Sequence, residues 1–271
     1  MVGAGVARTH AHIQPLTARE RLIVALDFQT TEEAQRVVEQ LGDTISFYKI
    51  GLQLQLAPKL RRLFNRLTRD NKYIFVDFKY IDIPATIEGV VRAASMLQIK
   101  FITVIGQEHI VEAAMKGRGN SDLKILAVTL LTGMSEFDMR KAYSTTATLE
   151  KFVTDRARDV IKIGCDGVIS SPQEITMIRN SVRENLPGKD FLIVTPGIRP
   201  IGASRNDQRT RIQIVSSSKA IEARCTCLFV RELRHGFQLS TVIYGVVGQV
   251  MLCNLLDCPE LPFLLPSGTG L

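Results

Sequence analysis

"KYIFVDFK" (72–79), "ATIEGVVRAASMLQ" (85–98) and "IKFITVIG" (99–106) follow one another as strand, helix and strand, and this repeat decides the fold. The two outer segments are near-continuous apolar runs. That is the pattern of strands buried on both faces, and such strands belong to a parallel sheet. The alternation extends in both directions. "RLIVALD" (21–27), "ISFYKIG" (45–51), "LKILAVT" (123–129), "DGVIS" (166–170) and "DFLIVTP" (190–196) read as further strands. The helical segment "TTEEAQRVVEQLG" (30–42) carries a threonine cap, acids in its first turn and a closing glycine. "SKAIEA" (218–223) followed by "CLFV" (227–230) makes an eighth unit.

Eight β/α units in about 250 residues fit an α/β fold of the closed (β/α)8 or TIM barrel type. An open doubly wound sheet is the rival, but no Gly-x-Gly-x-x-Gly follows the first strand. The expected organisation is a disordered extension over 1–19, a barrel domain over 20–235 and a divergent segment over 236–271.

Composition narrows the function classes. Hydrophobic residues make up 45% and charged residues 23% of the 271 positions, so a sizeable core is expected. The net charge of +7 suits an anionic small substrate. With no block of Lys and Arg and only 6% aromatics, nucleic acid is not the expected partner. The five cysteines are Cys165, Cys225, Cys227, Cys253 and Cys258. Their odd number and lack of zinc spacing point to free thiols in a reducing compartment, the cytoplasm. Residues 1–19 lack the apolar core of a secretory signal.

In a barrel, chemistry gathers at the C-terminal ends of the strands. Asp27, Lys49, Asp77, Lys79, Thr129 and Ser170 fall there. Burying an unpaired charge is costly, so four charged residues at three successive strand ends are informative. A structural ion-pair network at the rim is the alternative. Asp77 and Lys79 are two apart on one strand and point to the same side. Asp82 comes three residues later in the loop, placed to fold back or to reach a neighbouring chain. Lys49 is placed to link Asp27 and Asp77 into an alternating array. A lysine held between carboxylates stays protonated and serves better as a proton donor than as a Schiff-base nucleophile. This suits a reaction in which a carbanion forms and is then protonated. The sequence shows neither a metal cluster of His and acids nor a Ser-His-Asp arrangement.

A second signal is "VTPGIRPIGASRNDQRT" (194–210). Thr195, Pro196 and Gly197 are expected to turn the chain at a strand end. Arg199, Gln208 and Arg209 then offer donors on the loop after the seventh strand, which suits a phosphate. A solvated polar loop is the alternative.

"VALD", "FYKIG", "DFKYIDIPAT" and "VTPGIRP…DQ" resemble, in this order, the motifs of the orotidine 5′-phosphate decarboxylase family, over residues 20 to about 230. The Asp-x-Lys-x-x-Asp-Ile element is shared with the wider suprafamily of sugar-phosphate decarboxylases and aldolases; "TPGIRP" with "DQ" is more specific. The resemblance implies cofactor-free decarboxylation of orotidylate to UMP by a homodimer with shared active sites. It implies ribose contacts for Asp27 and for Lys49, which also joins the charge array. Asp77 matches the acid beside the departing carboxylate, and Lys79 the proton donor to C6 of the pyrimidine. Asp82 matches the acid supplied by the partner subunit, with Ile83 and Thr86 nearby. Thr132 matches a residue near the base, and Arg199 and Gln208 match phosphate contacts.

The chain departs from the family pattern in two places. Ile105 stands where the family usually has histidine. The eighth strand, "ARCTCLFVRELRHGFQ", lacks the Gly-Arg pair whose arginine grips the phosphate; Arg231 is the stand-in and Arg234 a weaker one. The eighth unit is therefore expected to be defective. Beyond Arg231 the resemblance stops. Residues 236–256 carry no charge, but Gln238, Gln249 and Asn254 dilute the segment and no basic cluster flanks its end, so a membrane span is not expected. An altered reading frame is the leading explanation, against a divergent closing helix or a partner contact. Two other functions stay open. One is a Mg²⁺-dependent sugar-phosphate decarboxylase or aldolase of the same suprafamily, and the other is an inactive nucleotide-binding barrel.

Overall fold

The computed structural model describes residues 22–187, 190–198 and 227–230. Strands β1 (Leu22–Ala25), β2 (Phe47–Gly51), β3 (Tyr73–Tyr80), β4 (Ile99–Ile105), β5 (Lys124–Val128), β6 (Gly167–Ile169), β7 (Leu192–Ile198) and β8 (Cys227–Val230) form a closed parallel barrel in sequence order. The closure is direct: Leu22, Ile23 and Val24 pair with Leu228, Phe229 and Val230. β8 is bonded to both β7 and β1, so the expectation of a defective eighth unit does not extend to its strand. The segments 1–19, 218–223 and 236–271 lie outside the described residues.

Helices α1 (Thr31–Leu41), α2 (Leu60–Arg69), α3 (Pro84–Ser95), α4 (Glu108–Arg118), α5 (Glu136–Tyr143), α6 (Leu149–Ile163) and α7 (Ile175–Asn185) connect the strands. α1 starts as its sequence requires. The Thr30 side chain accepts from the Glu33 amide, the Glu33 carboxylate accepts from the Thr30 amide, and Gly42 ends the helix. Its buried residues Ala34, Val37, Val38 and Leu41 recur at helical spacing and cover the barrel. The β5–β6 connection holds two helices, and α5, an eight-residue piece capped by Ser135, was not anticipated from the sequence.

Strand alternation divides the core in two. One set of side chains, including Leu22, Val24, Tyr48, Ile50, Ile74 and Ile102, packs outward against the helices. The other set fills the barrel: Ile23, Phe47, Phe75, Phe101, Leu126, Val128, Ile169, Leu192 and Val194. Phe101 meets Phe47 at 4.9 Å and Phe75 at 5.8 Å between ring centroids. Each such ring contributes about 1.5–3 kcal/mol by leaving water. Two residues further along the same strands, on the same inward face, come Lys49, Asp77 and Thr103. The polar layer therefore rests on an aromatic plug.

Two strands depart from regular pleating. Between Val76 and Tyr80, four steps of β3 oppose only two of β4, Ile102 to Val104. Lys79 sits in this bulge with φ +51°, a left-handed conformation that residues with a Cβ avoid. On β7 the sequence expectation is corrected. Thr195, Pro196 and Gly197 do not turn the chain; β7 continues to Ile198 with a register shift between Thr195 and Ile198. Pro196 has no N–H to give the ladder, so the strand skips a bond there and goes on.

The N-terminal end of the barrel is held by Asp166. Its carboxylate accepts from Arg118 Nη1 at 2.8 and 2.9 Å and from the Ile125 amide at 2.9 Å, with Lys124 Nζ at 3.5 Å. Beside it, Cys165 is a buried free thiol, pushed up to about 12 by burial and by the Asp166 charge.

Candidate active site

The charged residues at the C-terminal ends of β1, β2 and β3 meet. Lys49 Nζ lies 2.8 Å from Asp27 Oδ1 and 3.6 Å from Asp77 Oδ2. Lys79 Nζ donates to Asp77 Oδ1 at 2.8 Å. The order is Asp27, Lys49, Asp77, Lys79, alternating in sign and summing to zero. That balance lets four charges sit at a partly desolvated strand end. Side-chain exposure rises from 8% at Lys49 and 10% at Asp77 to 36% at Lys79, so Lys79 is the most open member of the array.

Burial pushes the Asp77 carboxyl upward. The charges of Lys49 and Lys79, and hydrogen bonds from Lys79 and Thr103, outweigh it and leave the group below its ordinary value. Asp77 is therefore a fixed anion beside an ammonium group that has further protons to donate.

Two further residues shape the array, and neither was singled out from the sequence. Thr103, fully buried on β4, donates from Oγ1 to Asp77 Oδ1 at 3.1 Å and accepts from the Lys79 amide at 2.9 Å. A polar residue on the inward face of a buried strand, between Phe101 and Ile105, was the available signal. Gly51 closes β2 beneath the first ion pair. A Cβ there would stand 2.6 Å from Asp27 Oδ1 and 3.0 Å from Lys49 Nζ, so a larger residue would displace the tips of that pair. Thr129 and Ser170 are buried at the ends of β5 and β6, as expected for the rim. Ile105, at the end of β4, packs on the inner plug.

Other sequence candidates stay apart from this cluster. Asp82 is exposed, and its Oδ1 accepts from the Ile83 amide at 2.7 Å. Ile83 precedes α3 and is 67% exposed; Thr86, in the first turn of α3, is also exposed. Thr132 is half-buried in the β5–α5 loop. Arg199, Gln208, Arg209, Arg231 and Arg234 lie outside the described residues. Among the described residues, no group of three or more His, Cys, Asp or Glu is placed to hold a metal ion. None of the helices among them is long and apolar enough to cross a membrane.

A family model described as "Orotidine 5'-phosphate decarboxylase / HUMPS family" matches residues 20–221. The chain belongs to this family. An orotidine 5′-phosphate decarboxylase of Nitrobacter winogradskyi is 44% identical over 192 residues, covering 71% of this chain and 77% of the relative. One of a Caulobacter species is 40% identical over 213 residues, covering 78% and 90%. A crystal structure of orotidine 5′-phosphate decarboxylase from Lactobacillus acidophilus superposes with a TM-score of 0.67 at 28% identity, covering 86% of this chain and 97% of that one. The family match includes the whole charged array and ends before β8.

Proposed function

We propose that this chain decarboxylates orotidine 5′-phosphate to UMP, without a cofactor, in pyrimidine biosynthesis. The observation that carries the reading is the alternating array over an apolar floor, in a member of this family. The substrate carboxylate lies beside Asp77, and their repulsion is relieved as CO₂ departs. The C6–carboxyl bond breaks and its electron pair stays on C6. The Lys79 ammonium stabilises that developing charge and then gives it a proton. Lys79 is reprotonated from water after product leaves. Asp27 and Lys49 hold the ribose, Thr132 lies by the base, and Arg199, Gln208 and Arg231 bind the phosphate. Binding energy from that remote group is spent on the transition state.

Asp82, Ile83 and Thr86 act from the partner subunit of a homodimer. Their exposure, and that of Ile81 at 61%, supports this reading: in one chain they serve no site, and they lie on a surface rich in apolar groups. A nucleotide substrate and a free buried thiol fit work in the cytoplasm.

The test is UMP formation from orotidylate by the full chain, followed by ultraviolet absorbance with and without EDTA. Turnover indifferent to EDTA supports the reading. Mg²⁺-dependent cleavage of a sugar phosphate, or no turnover of orotidylate, overturns it. For the shared site, inactive Lys79→Ala and Asp82→Ala chains are mixed. Hybrid dimers hold one intact site, so activity returns; its absence after verified subunit exchange refutes sharing.

A further inference from the structure

We infer that Thr103 is a positioning residue for the decarboxylation, its hydroxyl fixing the Lys79 backbone and the Asp77 carboxylate to one another. The inference rests on the activity proposed above. The geometry itself comes from β3 and β4 alone.

A threonine hydroxyl carries one proton and accepts through its lone pairs. At this site both roles are assigned by the neighbours. The Lys79 amide can only donate and the Asp77 carboxylate can only accept. The hydroxyl thus accepts from Lys79 N at 2.9 Å and gives its own proton to Asp77 Oδ1 at 3.1 Å. The group that links them is fully buried, so no water substitutes for it without opening the strand pair.

What it holds is an unfavourable backbone. Lys79 has φ +51° inside a bulge where the regular β3–β4 ladder is interrupted. Its amide would otherwise face the interior without a strand partner, and the Thr103 hydroxyl satisfies it. This contact makes the left-handed turn tolerable and sets where the lysine side chain leaves the backbone. The same hydroxyl also orients the carboxylate. Asp77 Oδ1 takes Thr103 Oγ1 and Lys79 Nζ, while Oδ2 is left toward Lys49 on β2. One side chain on β4 thereby governs both groups that flank the reacting carbon, without reaching the substrate itself.

Thr103→Val keeps the shape and removes the hydroxyl. The expected result is a fall in kcat of about 10- to 100-fold, the scale of a misplacement near 1 Å. KM should change by less than about threefold, because groups that only bind substrate are untouched. Thr103→Ser, which restores the hydroxyl, should return kcat to within about threefold of the native value. Carboxyl carbon NMR of labelled aspartate gives a readout independent of turnover. Asp77, facing Lys49 from β2 and Lys79 from its own strand, should titrate at higher pH in the valine variant and normally in the serine variant. If the native chain does not turn over orotidylate, the proposed activity fails, and the Asp77 titration still decides the role of Thr103. Thr103→Ala replaces the valine variant should that one not fold. A folded valine or alanine variant with native kcat and native Asp77 titration overturns the inference. So does a serine variant as impaired as the valine one.

Discussion

Replacing Lys49 with methionine tests whether the array is one electrostatic unit. The substitution keeps an apolar stem of similar length and removes the cation between two carboxylates. Lys49 Nζ is 2.8 Å from Asp27 and 3.6 Å from Asp77, with its side chain only 8% exposed. At such separations each attraction is about 5–6 kcal/mol for an effective dielectric near 20, much of it offset by desolvation. Removing one partner of a buried pair costs about 3–5 kcal/mol, because the other charge stays behind. That is the loss expected at neutral pH. The pH dependence should also weaken. In the native chain the folded-state value of Asp77 is lowered, so its contribution is present above the ordinary carboxylate range and is lost on acidification. In the variant, Asp77 keeps Lys79 and Thr103 but loses the charge of Lys49, so its carboxyl is lowered less. A smaller lowering leaves less stability to lose as pH falls through the carboxylate range. Urea unfolding followed by circular dichroism at about pH 3 and about pH 7 measures both effects. The native chain should lose more stability than the variant on acidification. A loss under about 1 kcal/mol at neutral pH, with the two pH profiles parallel, refutes a coupled array.

Lys79→Ala should lower kcat by at least about a thousandfold with an unchanged dichroism spectrum, since the amine acts mainly in the transition state. Lys79→Gly should be equally inactive and more stable than Lys79→Ala by about 1 kcal/mol, because φ +51° suits glycine; paired unfolding curves check this. Gly51→Ala places a Cβ where Asp27 Oδ1 stands and should raise KM about tenfold, the loss of one charge-assisted contact, in steady-state assays. Asp166→Ala should destabilise by about 3–5 kcal/mol while leaving kcat per folded molecule unchanged, because its partners Arg118 and Ile125 sit at the opposite end of the barrel.

Much of this architecture was legible in the sequence because it is periodic. Apolar runs separated by helical segments announce parallel strands, and all eight strand segments appear where the runs are. Charges at Asp27, Lys49, Asp77 and Lys79 stood out against those runs, and the structure brings them together. What escaped is non-local or depends on context. Nothing in "VDFKY" states that Lys79 is left-handed; the bulge depends on its pairing with β4, and Thr103 reads as an ordinary β-branched strand residue. Pro196 and Gly197 suggested a turn by local rule, but barrel closure through β8 draws the strand past them. Asp82 is a different case. The role proposed for it needs a second chain, and a single chain places it against its own neighbouring amide.

The aromatic floor implies a rule for how this barrel accepts substitutions. Phe47, Phe75 and Phe101 come from three adjacent strands and touch in the space directly below Lys49, Asp77 and Thr103. Interiors packed to crystal-like density conserve volume more strictly than identity. A smaller residue at any one of these positions leaves a void under one strand, and the group above it drops or tilts into that void. A replacement in this layer is therefore best offset by a larger side chain on the neighbouring strand. Single replacements shift the charges overhead. Three phenylalanines beneath the array thus help keep Lys49 and Asp77 in register, and their summed volume matters more than which strand carries which ring.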